Sequence, residues 1–332
     1  MSPKTSTDDI ATTRVYRDGR LVLENFPVVD VSEHLEEEGT TVWVDLCAPQ
    51  AADLALVAEE LGLHDLAIED AVDRRQRPKL DRYANHEFLN MYAVRLDVGT
   101  GELCLSELAA FITPRALVTI RKDDGFDMSG VVARWDESPD LTGYGVGFLL
   151  YGLIDVVVDG HFDTVQSLDE EIEKLEDLLF DDAPHDADVQ RRSFELRKSL
   201  VMLRRVILPM REVVNTLMRR DMIVVSEPMI PYFQDVYDHV LRATEWTESL
   251  RDLVTTILET NLTIQGNRLN IISKQVTSWA AIIAVPTAIT GFYGQNVPYP
   301  GFSTHAGFVT STVLIVVLSI VLYVAFRRKG WL

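Results

Sequence analysis

Apolar positions along this chain change their spacing as they go, and each change predicts a different kind of structure. From Val15 to Arg121 the apolar runs are short. Val15–Leu23 reads as a hairpin around Asp18-Gly19, and Thr41–Asp45 as a strand. Ala51–Leu61 and Leu66–Val72 carry helical spacing, and residues 86–97, 103–112 and 116–121 alternate like strands, with Thr100-Gly101 turning the first into the second. Residues 1–140 are therefore expected to form an α/β module. Over 141–230 the pattern becomes helical throughout. A helix over Gly145–Phe180 carries an acidic outer face, Pro184 breaks it, and a helix over 186–221 carries arginines at 191, 192, 197, 204, 205, 211, 219 and 220. An acidic helix followed by a basic one predicts an antiparallel pair held partly by opposite charge. Pro228 and Pro231 should stop the chain. No proline then occurs from Tyr232 to Pro286, which predicts one helix of about 60 residues, or about 90 Å, with residues 231–274 as its stalk.

The last part of the chain is of another kind. From Gln275 to Phe326, 52 residues pass without a Lys, Arg, Asp or Glu. Two apolar runs, 275–294 and 307–326, are each long enough as helices to cross a hydrocarbon core of about 30 Å. The segment between them, 295–306, includes Pro298, Pro300 and Gly301 and predicts a turn. Arg268 and Lys274 precede the first run, Arg327, Arg328 and Lys329 follow the second in the 327–332 tail, and the loop has no Lys or Arg. That asymmetry predicts both ends inside the cell and the loop outside. The second run is apolar on all sides, which suits a lipid-facing helix. The first carries a seam of small and polar residues: Asn270, Ser273, Thr277, Ala280, Ala284, Thr287, Gly291 and Gly294. Such a seam permits close helix packing. It can also line a narrow wet pore, but only if several copies gather in a ring.

Charge and chemistry narrow the function. All 51 acidic residues lie within 1–259, against 26 basic ones there, a net −25. This disfavours nucleic acid as a partner, which calls for a basic footprint. Cys47 and Cys104 form no CxxC pair, which fits a reducing compartment. Met1–Thr13 has no apolar leader segment, so the N-terminus is expected to stay in the cytoplasm. The chain has no phosphate loop, GxSxG, HExxH or EF-hand pattern, and an enzyme is not expected.

Several segments together resemble the CorA family of magnesium and divalent-metal transporters. Thr290-Gly291-Phe292-Tyr293-Gly294-Gln295-Asn296 is similar to that family's Tyr-Gly-Met-Asn turn, and Arg327-Arg328-Lys329-Gly330-Trp331-Leu332 to its basic Trp-Leu end. Matching segments recur through the chain: Leu61–His64, Glu69–Ala71, Arg77–Lys79, Leu150–Asp155, Leu208–Glu212 and Tyr232–His239. The resemblance implies a homopentameric channel with an α/β funnel domain, a helical stalk and a two-helix hairpin in the plasma membrane, with self, lipid bilayer and divalent cations as its partners. It implies Mg2+ as transported and regulatory ion, with Co2+ also carried, and Ni2+ and Zn2+ as further candidates. It assigns Gly294, Gln295 and Asn296 to the selectivity filter. Asn270, Ser273, Thr277, Ala284, Thr287 and Gly291 become pore-lining, and Asp97 and Asp235 become cytoplasmic regulatory metal ligands between subunits. Arg327, Arg328 and Lys329 become a basic ring near the pore entrance.

The chain departs from the family pattern at three places. Gln295 stands where the family has Met, Val297–Gly307 lacks the usual acidic residue, and Ala284 stands where relatives often have a bulky Met gate. The hydrophobic constriction then falls to Ile283 or Val276. His305 adds an imidazole to the loop. A zinc or other transition-metal transporter on the same fold, and a non-conducting membrane-anchored sensor or scaffold, remain as alternatives.

Overall fold

The computed structural model describes residues 7, 10–73, 76–97, 99, 101–179, 186–219, 222 and 224–332. The expected break at Pro184, the turn residue Thr100 and the basic residue Arg220 lie outside them. The structure divides into two compact units, Met1–Ile257 and Leu258–Leu332.

The first unit is built on a seven-stranded sheet with strand order β2-β1-β3-β7-β6-β5-β4. Strands β1 (Ala11–Arg17) and β2 (Arg20–Glu24) form the hairpin at Asp18-Gly19, and both turn residues have positive φ. β3 (Thr40–Cys47) pairs with β7 (Ala116–Arg121) in the sheet's parallel register; the remaining neighbours are antiparallel. β5 (Glu87–Asp97) and β6 (Glu102–Ile112) pair along their full length. β4 (Lys79–Arg82), which periodicity did not predict, covers only Glu87–Asn90 of β5.

Both faces of the sheet are covered. One face packs under α1 (Val31–Glu36), α2 (Ala51–Leu61) and α3 (Asp65–Val72) around Val44, Leu54, Ala67 and Phe111. The other packs under α4 (Ser129–Glu137), α5 (Val146–Leu179) and α6 (Asp186–Leu217) around Trp43, Trp135, Leu153 and Leu203. Trp135 sits edge-on to Trp43 at 4.8 Å and donates its indole N–H to the Leu149 carbonyl at 3.1 Å. A Cβ on Gly152 would lie 2.5 Å from that indole nitrogen, so this close approach needs glycine.

α5 also completes the sheet. Beyond the short β4, the outer edge of β5 has carbonyls without a strand partner. His161 Nε2 meets the Tyr92 carbonyl at 2.7 Å, and the Thr164 hydroxyl donates to the Val94 carbonyl at 3.1 Å. A carbonyl only accepts, so Nε2 carries the proton. That leaves Nδ1 of His161 buried without a hydrogen bond, and burial pushes the imidazole pKa down to about 4.

α5 and α6 do not pair by charge as their composition suggests. Their contact is apolar, through residues such as Leu168, Leu175, Leu196 and Leu203. Among the described residues no ion pair joins the two helices: Lys174 pairs with Glu171 of its own helix, and Arg204 with Glu248 of the next. The acidic face of α5 and the basic face of α6 both point outward. Pro231 does not stop the chain either. It lies in the first turn of α7 (Ile230–Tyr293), where a missing N–H has no acceptor to lose.

α7 is one helix of 64 residues that continues into the second unit, and the unit boundary falls within it. There α7 is followed by a loop and α8 (His305–Arg328), and both helices are long and apolar enough to cross a membrane. Thr304 caps α8 by accepting from the Gly307 N–H at 3.2 Å. Gly301 (φ +91°) and Gly307 lie so close that a Cβ on Gly307 would meet the Gly301 carbonyl.

Candidate functional site

The seam read from the sequence lies along one face of α7; residues 266–277 are exposed all round, and from Ser278 onward the seam side stays exposed. Asn270, Ser273, Thr277, Ala284, Thr287 and Gly291 are all exposed in the protomer. The flank formed by Ser278, Ala281, Ile282, Val285 and Ile289 is buried or half-buried, and Trp279 meets Tyr323 of α8 at 6.5 Å. Side chains three and four apart share a helix face, so the same spacing that buries one flank leaves the seam without a neighbour. Ile283 and Val276, the expected constriction residues, are exposed as well.

The seam carries acceptors at Asn270, Ser273, Thr277 and Thr287. The Thr287 hydroxyl donates to the Ile283 carbonyl at 3.0 Å, and beside the seam the Thr290 hydroxyl donates to the Pro286 carbonyl at 2.9 Å. With their protons held by the helix, these hydroxyls present lone pairs outward. Pro286 lies inside α7 and has no N–H to give the Ile282 carbonyl.

α7 ends at Tyr293, and Gly294, Gln295 and Asn296 follow it, all exposed. The Gly294 N–H donates to the Thr290 carbonyl at 2.8 Å, and a Cβ on Gly294 would sit 2.9 Å from that same oxygen. Glycine is needed there for space. The uncharged loop is tied down by aromatic contacts instead. The Tyr299 hydroxyl donates to the Tyr293 carbonyl at 2.7 Å, and the Tyr299 ring packs edge-on against Tyr293 at 5.2 Å and Phe302 at 5.3 Å. At the far end, Arg327 and Arg328 occupy the last turn of α8, where cations suit the helix dipole. Lys329 lies 5.8 Å over the Trp331 ring, which stacks on Phe326.

This arrangement has close counterparts. The model of the CorA-like Mg2+ transporter protein family matches residues 38–328. The chain belongs to that family. The cobalt/magnesium transport protein CorA of Thermotoga maritima is 30% identical over 313 residues, covering 92% of this chain and 88% of its own. A putative metal ion transporter of Bacillus subtilis is 30% identical over 314 residues, covering 93% and 95%. The solved CorA magnesium transporter of Methanocaldococcus jannaschii aligns with a TM-score of 0.78 at 22% identity, over 97% of this chain and 99% of that one. The α/β unit, long helix and two-helix end are thus the CorA-like fold.

The two residues expected as regulatory ligands in this CorA-like chain lie apart in sequence and on different elements. Asp97 ends β5 and accepts from the Gly99 N–H at 2.9 Å. Asp235 lies near the start of α7, with its carboxylate 3.9 Å from His239 Nε2. They are expected to meet between copies, which one protomer does not bring about.

Sequence reading missed a polar cluster beside Asp235. Asp155 and Asp159 of α5 and His239 of α7 bring ligand atoms within 4.8 Å of one another. Arg134 of α4 offsets part of its charge: its guanidinium bonds Asp155 and pairs with Asp159 at 2.8 Å. Burial raises the Asp155 pKa against the lowering influence of Arg134. Burial first, then Asp155, pushes the nearby Tyr151 hydroxyl up to about 12. The i, i+4 aspartates on α5 were a visible signal; their meeting with a histidine 80 residues later was not.

Proposed function

We propose that this chain conducts divalent cations across the plasma membrane, Mg2+ first and Co2+ also, as a homopentamer with both termini in the cytoplasm. The observation that carries the reading is the exposed face of α7. It is small, acceptor-rich and unpartnered in the protomer, and it leads directly to Gly294-Gln295-Asn296. A two-helix hairpin encloses no pore alone, so several copies of this face must share an axis. Relatives named as cobalt/magnesium transport proteins support the ion class.

In this reading Asn296 and Gln295 offer amide oxygens to a hydrated ion at the outer mouth. Mg2+ sheds water reluctantly, so acceptors that bond its water shell serve better than ligands that strip it. The Thr287 ring and, further down, Asn270 repeat the pattern. Asp235 and Asp97 hold divalent ion between neighbouring cytoplasmic domains. The ion relieves carboxylate repulsion there and favours the closed ring, so low internal ion opens it. Arg327, Arg328 and Lys329 anchor the inner end of α8 around the pore entrance. Gln295 and the lack of an acidic loop residue set the order among Mg2+, Co2+, Ni2+ and Zn2+.

The test is uptake by purified protein in vesicles, wild type against Asn296→Ala. A hydrogen bond to a charged partner contributes about 1.5–3 kcal/mol, so the variant is expected to lose at least about tenfold in uptake at low Mg2+. Equal uptake removes the mouth ring from the mechanism. Asp235→Lys is expected to relieve inhibition by internal Mg2+; full inhibition in that variant removes Asp235 from gating.

A further inference from the structure

The cytoplasmic unit carries two outward stripes with the same geometry and opposite character. On α5, Asp163, Gln166, Glu170, Glu173 and Asp177 are all exposed, at steps of 3, 4, 3 and 4 residues. On α6, Arg191, Phe194, Lys198, Val201 and Arg205 are all exposed, at the same steps. Steps of 3 and 4 keep a stripe straight along one helix face. Each stripe spans 15 residues, about 21 Å from end to end.

Ordinary solvated faces explain exposed charge, but not these two together. Phe194 is 70% exposed and Val201 36% exposed, in a unit whose other aromatic anchors, such as Trp43, Trp135 and Phe148, are fully buried. Lys198 and Arg205 make no ion pair among the described residues, and neither do Glu170, Glu173 and Asp177. Arg191 alone in the basic stripe is engaged, with Glu195 at 3.4 Å and Asp188 at 4.0 Å. Within one protomer the α5–α6 contact is apolar, so the two stripes of opposite charge and matched length are left exposed without ion pairs to each other among the described residues.

We infer that the α6 stripe of one copy docks on the α5 stripe of the next, with Phe194 and Val201 buried at the seam and the charges paired along it. The contact joins different faces of the two copies, so it is head-to-tail and propagates around a ring. It rests on the ring proposed above. A membrane surface is the poorer occupant. The anionic headgroups that would attract Lys198 and Arg205 would repel the α5 stripe on the neighbouring helix.

The experiment uses the full chain in detergent, in a Cys47→Ser/Cys104→Ser background. One chain carries Glu170→Cys and a second Lys198→Cys, and the two are co-expressed. These are the central positions of the stripes, so they meet whether the docked helices run parallel or antiparallel. Mild oxidation is expected to give a disulfide-linked dimer from the mixture and none from either chain alone, since a disulfide needs Cβ atoms within about 4.5 Å. Lys198→Glu/Arg205→Glu is expected to weaken assembly and to raise its sensitivity to salt, and added Glu170→Lys/Glu173→Lys to restore it. A ring of full mass that yields no linked dimer overturns this inference and leaves the ring standing. No oligomer at all overturns the ring and this contact together. If Lys198→Cys is shielded from a water-soluble maleimide only in vesicles containing phosphatidylglycerol, the partner is a lipid surface and the inference falls.

Discussion

The two units of this chain bury their apolar residues in opposite ways. In Met1–Ile257 the large side chains are inside: Trp43, Trp135, Phe88, Phe111 and Phe233 are almost wholly enclosed by their own chain. In Leu258–Leu332 they are outside: Ile283, Phe308, Val313, Val316 and Val321 are each more than half or about half exposed. The first unit encloses its core within a single copy. The second leaves its apolar flanks and the seam of small and polar residues uncovered by its own chain. Composition alone hides this contrast, because both units are rich in Val, Leu and Ile. It lies in where water is excluded, by the chain itself or by its surroundings.

The contrast predicts unequal responses to similar substitutions. Trp135→Ala empties a packed site and removes an indole hydrogen bond, so the melting of the first unit should show a loss of about 3–5 kcal/mol. A loss below about 1 kcal/mol would mean that core is loosely packed. Next in size is the pH dependence set by His161. Its folded pKa of about 4 lies below the ordinary 6.5, so as pH falls the unfolded chain takes up the proton first. The contribution is complete above about pH 6.5 and is lost between there and about pH 4, about 3 kcal/mol in all. Denaturant titrations of wild type against His161→Gln across this window should show a steeper loss of stability in wild type, the difference between the two being the contribution of His161. Thr304→Ala removes the cap of α8 and should cost about 1 kcal/mol, read as earlier thermal loss of helix in micelles. Smallest of all, Val316→Ala should change stability by less than about 1 kcal/mol, because lipid tails are as apolar as the site left behind. A core-sized loss at Val316 would erase the contrast and place that face against protein.

Much of the fold was legible where pattern and local chemistry agree. Asp18-Gly19 supplied a turn, full-length alternation supplied β5 and β6, and an uncharged stretch supplied two spans. β4 was not legible. Lys79-Leu80-Asp81-Arg82 has no apolar alternation, and it is a strand only because β5 offers it an edge. α4 was missed for a related reason: in nine residues it buries only Val131 and Trp135, too few to set a period. Pro231 misled because a proline in a first helical turn costs nothing, whereas the same residue in mid-helix breaks the pattern. The opposite charge of α5 and α6 was legible in the residues, but the expected pairing of the two helices by charge does not occur, because they meet through apolar side chains and periodicity gives a face, not what the face meets. The candidate site divides likewise. The α7 seam follows from spacing on one helix. The cluster of Asp155, Asp159 and His239 depends on α5 meeting α7, which no local pattern reports.

The account rests on the Thr287 side of α7 facing water within an assembly while α8 faces lipid. Single cysteines at Thr287→Cys and Val316→Cys, in a Cys47→Ser/Cys104→Ser background, test this in vesicles through a water-soluble thiol reagent and Mg2+ uptake. The prediction is that the reagent modifies the cysteine at 287 and stops uptake, while the cysteine at 316 stays unmodified and uptake continues. An unreactive cysteine at 287 beside a reactive one at 316 would contradict it.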